Sequence, residues 1–344
     1  MRYPQFLPAG GTIGFPAPSF GCASEPYRTA FEAALARFGE MGFRTLEGPN
    51  ARAALGVGIS NTPENCAREF MEMYLDEASD CLISCGGGEL MCEILPYLEL
   101  DNLAKAKPKW FMGYSDNTNL TLLLATHTDT ASVYGPCAAS FHMTILHDSL
   151  RDALEILTGK RRTVKSYGLW EKESLRDEEH PLAPYHLTEK LDMHCFVGRE
   201  PVQSVRFQGR LLGGCLDVLA NLAGTRFDRV AEFAKRYRED GILWFLEACD
   251  LNVFAIRRAM WQLEEAGWFQ YVKGFLIGRP ANGEPLMNLD HIEAVLGVAG
   301  RKGVPVVTDV DLGHKPPMMP LVAGSVAEVT VVGSSQLTVE MKFV

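Results

Sequence analysis

The sequence predicts an α/β protein. A mostly parallel, helix-flanked sheet is expected in the N-terminal half, followed by a second, smaller β-rich α/β domain. Three observations carry that expectation. Short apolar runs alternate with stretches of helical period, glycine or proline closes most runs, and 344 residues exceed what one core ordinarily serves.

Taken in order, Gly11 to Ala17 reads as a first strand ending in a Pro18-Ser19 loop. Tyr27 to Met41 places Phe31, Ala34, Leu35, Phe38 and Met41 on one helical face, with Gly42 as the stop. Thr62-Pro63-Glu64 opens the next helix with a cap, a proline at the first position and an acid in the first turn. Its buried face is Ala67, Phe70, Met73 and Tyr74. Cys81 to Cys85 is a short apolar strand running into Gly86-Gly87-Gly88. A helix through Leu95, a strand at Trp110, a helix after Ser115 and a strand near Val133 follow. These elements assign residues 1–164 to the first domain.

Residues 165–202 lose any clear period, and Pro181 and Pro184 interrupt them, so they read as a linker and surface excursion. The second domain, 203–344, starts with a strand at Ser204 to Leu211 and a Gly213-Gly214 break. Ile242 to Leu246 forms a buried strand ending on Glu247, and Phe254 to Ala266 is an amphipathic helix. Phe275 to Gly278 and Val304 to Thr308 supply strands, and 326–332 with 336–343 form a hairpin around Gly333-Ser334-Ser335.

The net charge of −10 comes without a basic stripe, which argues against nucleic acid as a partner. No apolar run approaches the roughly 18 residues of a membrane span. The N-terminus has no apolar signal core, so a cytoplasmic protein is expected. Nine dispersed cysteines without a Cys-x-x-Cys pair read as reduced core thiols.

Ligands of parallel sheets bind at the carboxyl ends of strands, and three chemically useful residues fall at such ends: Ser115, Glu247 and His314. Ser115 follows Trp110-Phe111-Met112-Gly113-Tyr114 and precedes a helical stretch, the strand–turn–helix setting of an acyl-transfer nucleophile. The same position suits a plain helix cap, and Asn117 stands where Gly-x-Ser-x-Gly would have glycine. Glu247 could hold a histidine base or cap the next helix. His314, after Gly313 and before Lys315-Pro316-Pro317, sits in a constrained loop suited to a polar task. The amides of Gly87, Gly88 and Asp116 suit an oxyanion, although a triple glycine can be only a tight turn. Asp309, Asp311 and His314 allow a metal reading, with the two aspartates on one face of a strand, but no partner motif supports it.

The chain resembles the LD-carboxypeptidase family of serine peptidases, which includes the microcin C immunity peptidases. The similarity rests on Gly-Gly-Gly-Glu-Leu-Met-Cys-Glu-Ile-Leu-Pro-Tyr-Leu (86–98), Phe-Met-Gly-Tyr-Ser-Asp-Asn-Thr (111–118) and Tyr-Gly-Pro (134–136). It extends through residues 213–225, Leu-Trp-Phe-Leu-Glu (243–247) and Asp-Leu-Gly-His-Lys-Pro-Pro (311–317). The resemblance implies a Ser115–Glu247–His314 triad, oxyanion donors from the 87–88 pair and Asp116, a site between two domains, and no metal or cofactor. It also implies a homodimer, and a substrate that is either murein tetrapeptide, losing its terminal D-alanine, or a peptidyl-nucleotide amide. Trp170 could then stack on a base, and Arg258 and Lys315 are candidates for a substrate carboxylate. Cys215 departs from the asparagine common after Gly-Gly, and Ala248-Cys249 from polar residues after the glutamate. A neutral His314 is needed to start, so activity is expected to fall below about pH 6.5.

Overall fold

The structure, a computed structural model describing all of residues 1–344, divides into two compact units. One comprises Met1–Arg161 with Glu173–His186, the other Arg162–Lys172 with Leu187–Val344. It is a mixed α/β fold with parallel-rich sheets flanked by helices, as the alternation of elements requires.

In the first unit, β1 (Thr12–Phe15), β2 (Arg44–Glu47), β3 (Cys81–Ile83), β4 (Trp110–Gly113) and β5 (Ser132–Tyr134) lie in the order β5-β4-β3-β1-β2. Every pairing is parallel. Their interior residues are buried on both faces, which is why β3, β4 and β5 read as uninterrupted apolar runs. The sheet is crossed by α1 (Tyr27–Glu40), α2 (Pro63–Leu75), α3 (Leu100–Lys105), α4 (Thr118–Thr128) and α5 (Asp148–Leu157). Helix α1 buries Ala30, Phe31, Ala34 and Phe38. Met41, expected on the same face, lies beyond the helix end and is exposed. Helix α2 starts as its cap predicts, with Thr62 Oγ1 accepting from Asn65 N at 3.4 Å. The helix expected through Leu95 is a 3-10 turn, Met91–Tyr97, because Pro96 removes a helical donor.

In the second unit the strands are β6 (Thr163–Lys165), β7 (Leu169–Glu171), β8 (Leu187–Lys190), β9 (His194–Val197), β10 (Glu200–Pro201), β11 (Ser204–Cys215), β12 (Ile242–Glu247), β13 (Val272–Gly278), β14 (Pro305–Val310), β15 (Leu321–Ala323), β16 (Val326–Val332) and β17 (Gln336–Lys342). Nine of them form a sheet in the order β10-β9-β14-β13-β12-β11-β16-β17-β6. Its centre, β11 to β14, is parallel, while β16 and β17 form the expected antiparallel hairpin. Helices α6 (Leu216–Leu222), α7 (Val230–Arg236), α8 (Val253–Glu265) and α9 (His291–Ala299) accompany it.

Two local expectations change. Gly213 and Gly214 do not break β11, which runs on to Cys215. A side chain at Gly213 would meet the Phe245 carbonyl at 1.8 Å, so glycine here permits close strand pairing. Residues 165–202, read as a linker and surface excursion, carry β7 to β10 and contribute to both units. No disulfide joins any of the nine cysteines, seven of which are buried. No helix is long and apolar enough to cross a membrane.

Candidate active site

In the first unit, β4 delivers the chain to Ser115 through fully buried residues. Ser115 itself takes φ +62, the left-handed region that a residue with a side chain occupies only when its surroundings force it. Its N–H donates to the Tyr134 hydroxyl at 3.2 Å. Ser115 is not the cap of α4, whose N-cap position is Asn117. Asn117 also explains the missing glycine. Its side chain packs on Gly113, where an added Cβ would lie 2.7 Å from Asn117 Cγ. Its Nδ2 donates to the carbonyls of Gly86 at 2.9 Å and Tyr114 at 3.0 Å, tying the glycine loop to the serine turn.

That loop runs directly past the serine: a Cβ on Gly87 would stand 3.3 Å from Ser115 Cβ and 3.4 Å from its Oγ. The Gly86 and Gly87 carbonyls accept hydrogen bonds, Gly87 O from Phe20 N at 2.7 Å. The N–H groups of Gly87, Gly88 and Asp116 make no hydrogen bond within the protein and so remain available to an anion. The Asp116 carboxylate accepts from Ser19 Oγ (2.6 Å), Met91 N (2.9 Å) and Asn119 Nδ2 (3.0 Å). Burial nevertheless pushes its pKa up, with those bonds opposing. A Cβ at Gly88 would fall 1.9 Å from Ser19 Oγ. Gly88→Ala is therefore expected to displace the loop and cut kcat at least about 100-fold, the cost of one misplaced oxyanion donor. Thermal unfolding, measured alongside the steady-state rate, separates that loss from misfolding.

In the second unit, β12 ends on Glu247, whose side chain is fully buried. His314 Nδ1–H donates to Glu247 Oε2 at 2.8 Å. A carboxylate can only accept, so the proton sits on Nδ1 and Nε2 carries the lone pair of the neutral ring. Gly313, at φ +97, makes the approach possible: a Cβ there would lie 2.5 Å from Glu247 Oε2. Burial by itself would lower the imidazole pKa. The Glu247 charge and the hydrogen bonds to Glu247 and Cys249 outweigh it and hold the pKa well above the ordinary 6.5.

The His314 loop is anchored by Asp311, buried completely, which accepts from Arg279 Nη2 and Tyr167 N, both at 2.6 Å. Arg279 also lies over the Trp170 ring at 4.9 Å, and Lys315 Nζ is 5.9 Å from the same ring. Trp170, Lys315 and the histidine loop are thus neighbours. Arg258 is exposed on α8 and makes no hydrogen bond or ion pair with Glu247 or His314.

Asp309, Asp311 and His314 do not share a ligand. Asp309 Oδ1 pairs with His291 Nε2 at 2.8 Å, Asp311 with Arg279 and His314 with Glu247. The strand alternation assumed for the two aspartates fails because Asp309 takes φ +61. No cluster of three His, Cys, Asp or Glu side chains could hold a metal.

Sequence reasoning gave no structural role to Tyr134, Asn117, Arg279 or Asp217. The last accepts from the N–H groups of Cys249 (3.0 Å), Asp250 (2.9 Å) and Leu251 (3.2 Å) and so fixes the loop leaving Glu247. Its place in the first turn of α6 was the only available signal.

Two family models match the chain. Residues 13–135 match the LD-carboxypeptidase N-terminal domain and residues 208–329 the LD-carboxypeptidase C-terminal domain. Among curated proteins, the chain is 27% identical over 327 residues to the microcin C7 self-immunity protein MccF of Escherichia coli, covering 92% of this chain and 90% of that one. It is 24% identical over 336 residues to a probable murein peptide carboxypeptidase of Bacillus subtilis, covering 94% and 90%. Among solved structures, MccF in complex with aspartyl sulfamoyl adenosine superposes with a TM-score of 0.83 at 23% identity, covering all of both chains. An MccF-like protein of Bacillus anthracis gives 0.82 at 20% identity, covering 99% of this chain and 100% of that one. Both likenesses bear on the fold.

Proposed function

This chain belongs to the LD-carboxypeptidase family, and on that premise we propose that it is a serine carboxypeptidase acting on small peptides through an acyl-enzyme. The observation that carries the proposal is the 2.8 Å contact between His314 Nδ1 and a fully buried Glu247 carboxylate. A carboxylate is withdrawn from water at that cost only when its charge has a use.

Ser115 Oγ attacks the scissile carbonyl while His314 Nε2 takes its proton. Glu247 keeps the ring in the required tautomer and stabilises the imidazolium. Negative charge then gathers on the carbonyl oxygen, where the Gly87 or Gly88 amide and the Asp116 amide receive it. His314 returns the proton to the leaving nitrogen, and water, activated by the same imidazole, releases the acyl group.

The substrate proposed first is murein tetrapeptide, with release of the terminal D-alanine. A second substrate, a peptidyl-nucleotide amide, is favoured by one observation. The half-buried Trp170 indole with Lys315 beside it suits a base and an adjoining anion. Mass spectrometry of products from murein tetrapeptide and from aspartyl sulfamoyl adenosine, incubated separately with the protein, discriminates the two. Free D-alanine supports the first and free aspartate the second. Release of neither rejects the peptidase proposal.

A further inference from the structure

The oxyanion donors come from two separate stretches of the first unit, the glycine loop and the turn after Ser115, and they work only at a fixed spacing. Asn117 Nδ2 supplies one tie, to the Gly86 carbonyl at 2.9 Å. The other tie is Ser19, a loop residue in the sequence reading. Its side chain is fully buried, and its Oγ–H donates to Asp116 Oδ2 at 2.6 Å. The same Oγ lies 1.9 Å from the point where a Cβ on Gly88 would stand. The next residue continues the contact, with Phe20 N–H donating to the Gly87 carbonyl at 2.7 Å. Beyond the glycine loop, Met91 N–H reaches the same Asp116 oxygen at 2.9 Å. One short turn thus meets Gly87, Gly88 and Asp116, the three residues whose amides are offered to the oxyanion.

That turn is held independently of the Ser19 hydroxyl. The Ser19 carbonyl accepts from Ser60 N at 2.6 Å, and Ala17 N donates to the buried Glu69 carboxylate at 3.0 Å. The bond to Asp116 is therefore not what shapes the turn. Asp116 places a carboxylate on the residue whose amide serves an oxyanion, and like charges repel. Donors on that carboxylate spread its charge and stop the residue from shifting. Ser19 makes the shortest of the three, at 2.6 Å against 2.9 and 3.0 Å.

We propose that Ser19 is a positioning residue for the reaction, its hydroxyl fixing the distance between the glycine-loop amides and the Asp116 amide. This rests on the function proposed above. Ser19 acts through Asp116, not on the substrate.

The test uses the full chain carrying Ser19→Ala, with murein tetrapeptide or aspartyl sulfamoyl adenosine, whichever the parent hydrolyses. The expected result is kcat lowered about 10- to 100-fold, less than the loss of a whole donor, with KM within about twofold. Labelling by a fluorophosphonate, in which Ser115 Oγ displaces fluoride and the phosphoryl oxygen takes the oxyanion's place, should slow by a similar factor. Asp116→Ala keeps the backbone amide and removes the carboxylate, so adding Ser19→Ala to it should cost no more than about twofold. Ser19→Cys keeps a weaker donor in the same place and should fall between alanine and parent. It carries the test if the alanine protein does not fold. Turnover and labelling both within twofold of the parent overturn the role of Ser19 and leave the peptidase reading standing. So does a loss carried by KM alone, or one fully additive with Asp116→Ala. A parent that neither hydrolyses these substrates nor reacts at Ser115 rejects the peptidase reading and this inference with it.

Discussion

Replacing Ser115 with alanine is expected to lower kcat/KM by roughly 10⁶, the scale on which removing the nucleophile of a serine triad acts. The protein should fold as before. The reasoning starts from backbone strain. Ser115 holds φ +62, and its N–H is engaged by the Tyr134 hydroxyl, so the turn is fixed by contacts that alanine keeps. Alanine tolerates the left-handed region about as well as serine and keeps the same Cβ, so the turn meets no new contact. The substitution therefore removes one oxygen and little else. Any residual rate would come from the amides of Gly87, Gly88 and Asp116 acting on bound substrate, a contribution of about 10³ to 10⁴ over water. Steady-state kinetics with unfolding curves on both proteins checks this. Activity within tenfold of the parent, in protein free of contaminating hydrolase, removes Ser115 from the mechanism. Covalent labelling by a fluorophosphonate, lost in Ser115→Ala, gives an independent reading.

Much of this arrangement was legible in the sequence because it sits at ends of regular elements. A run of buried residues that stops at a polar residue marks a strand terminus, and strand termini are where α/β sheets place their chemistry. Ser115, Glu247 and the glycine loop were all found that way. His314 was found through the glycine and prolines around it. The structure then gives the reason for Gly313: the carboxylate approaches where a Cβ would stand. What stayed hidden depends on partners far away in the chain. Asp311 meets Tyr167 across 144 residues and Arg279 across 32, and neither spacing has a local signature. Strands β7 to β10 have two to four residues each and owe their existence to pairing, so no period could reveal them. β2 is polar and largely exposed, so the sequence carries no strand signal at this sheet edge.

The second large effect concerns Glu247. Glu247→Gln keeps the shape of the side chain and removes its charge, and kcat is expected to fall about 10⁴-fold because the imidazole loses its enforced tautomer. The pH dependence should move in a direction that a merely structural role would not produce. In the parent protein the Glu247 carboxylate outweighs burial and holds the His314 pKa above its ordinary value. The rising limb of kcat/KM should therefore lie above the pH 6.5 expected of an unperturbed ring. With glutamine in place, burial is no longer opposed by the Glu247 charge, and the limb should shift to lower pH even as the maximum rate collapses. The stability effect has the matching sign. A raised folded-state pKa stabilises fully below the unfolded value near 6.5 and loses that contribution as pH climbs through the folded value. The melting-temperature gap between parent and Glu247→Gln should accordingly be widest in acid and narrow as the solution becomes alkaline. NMR titration of the His314 ring in both proteins measures the shift directly. An unchanged midpoint would mean that the 2.8 Å contact carries no charge coupling, and Glu247 would then be only the buried end of a strand.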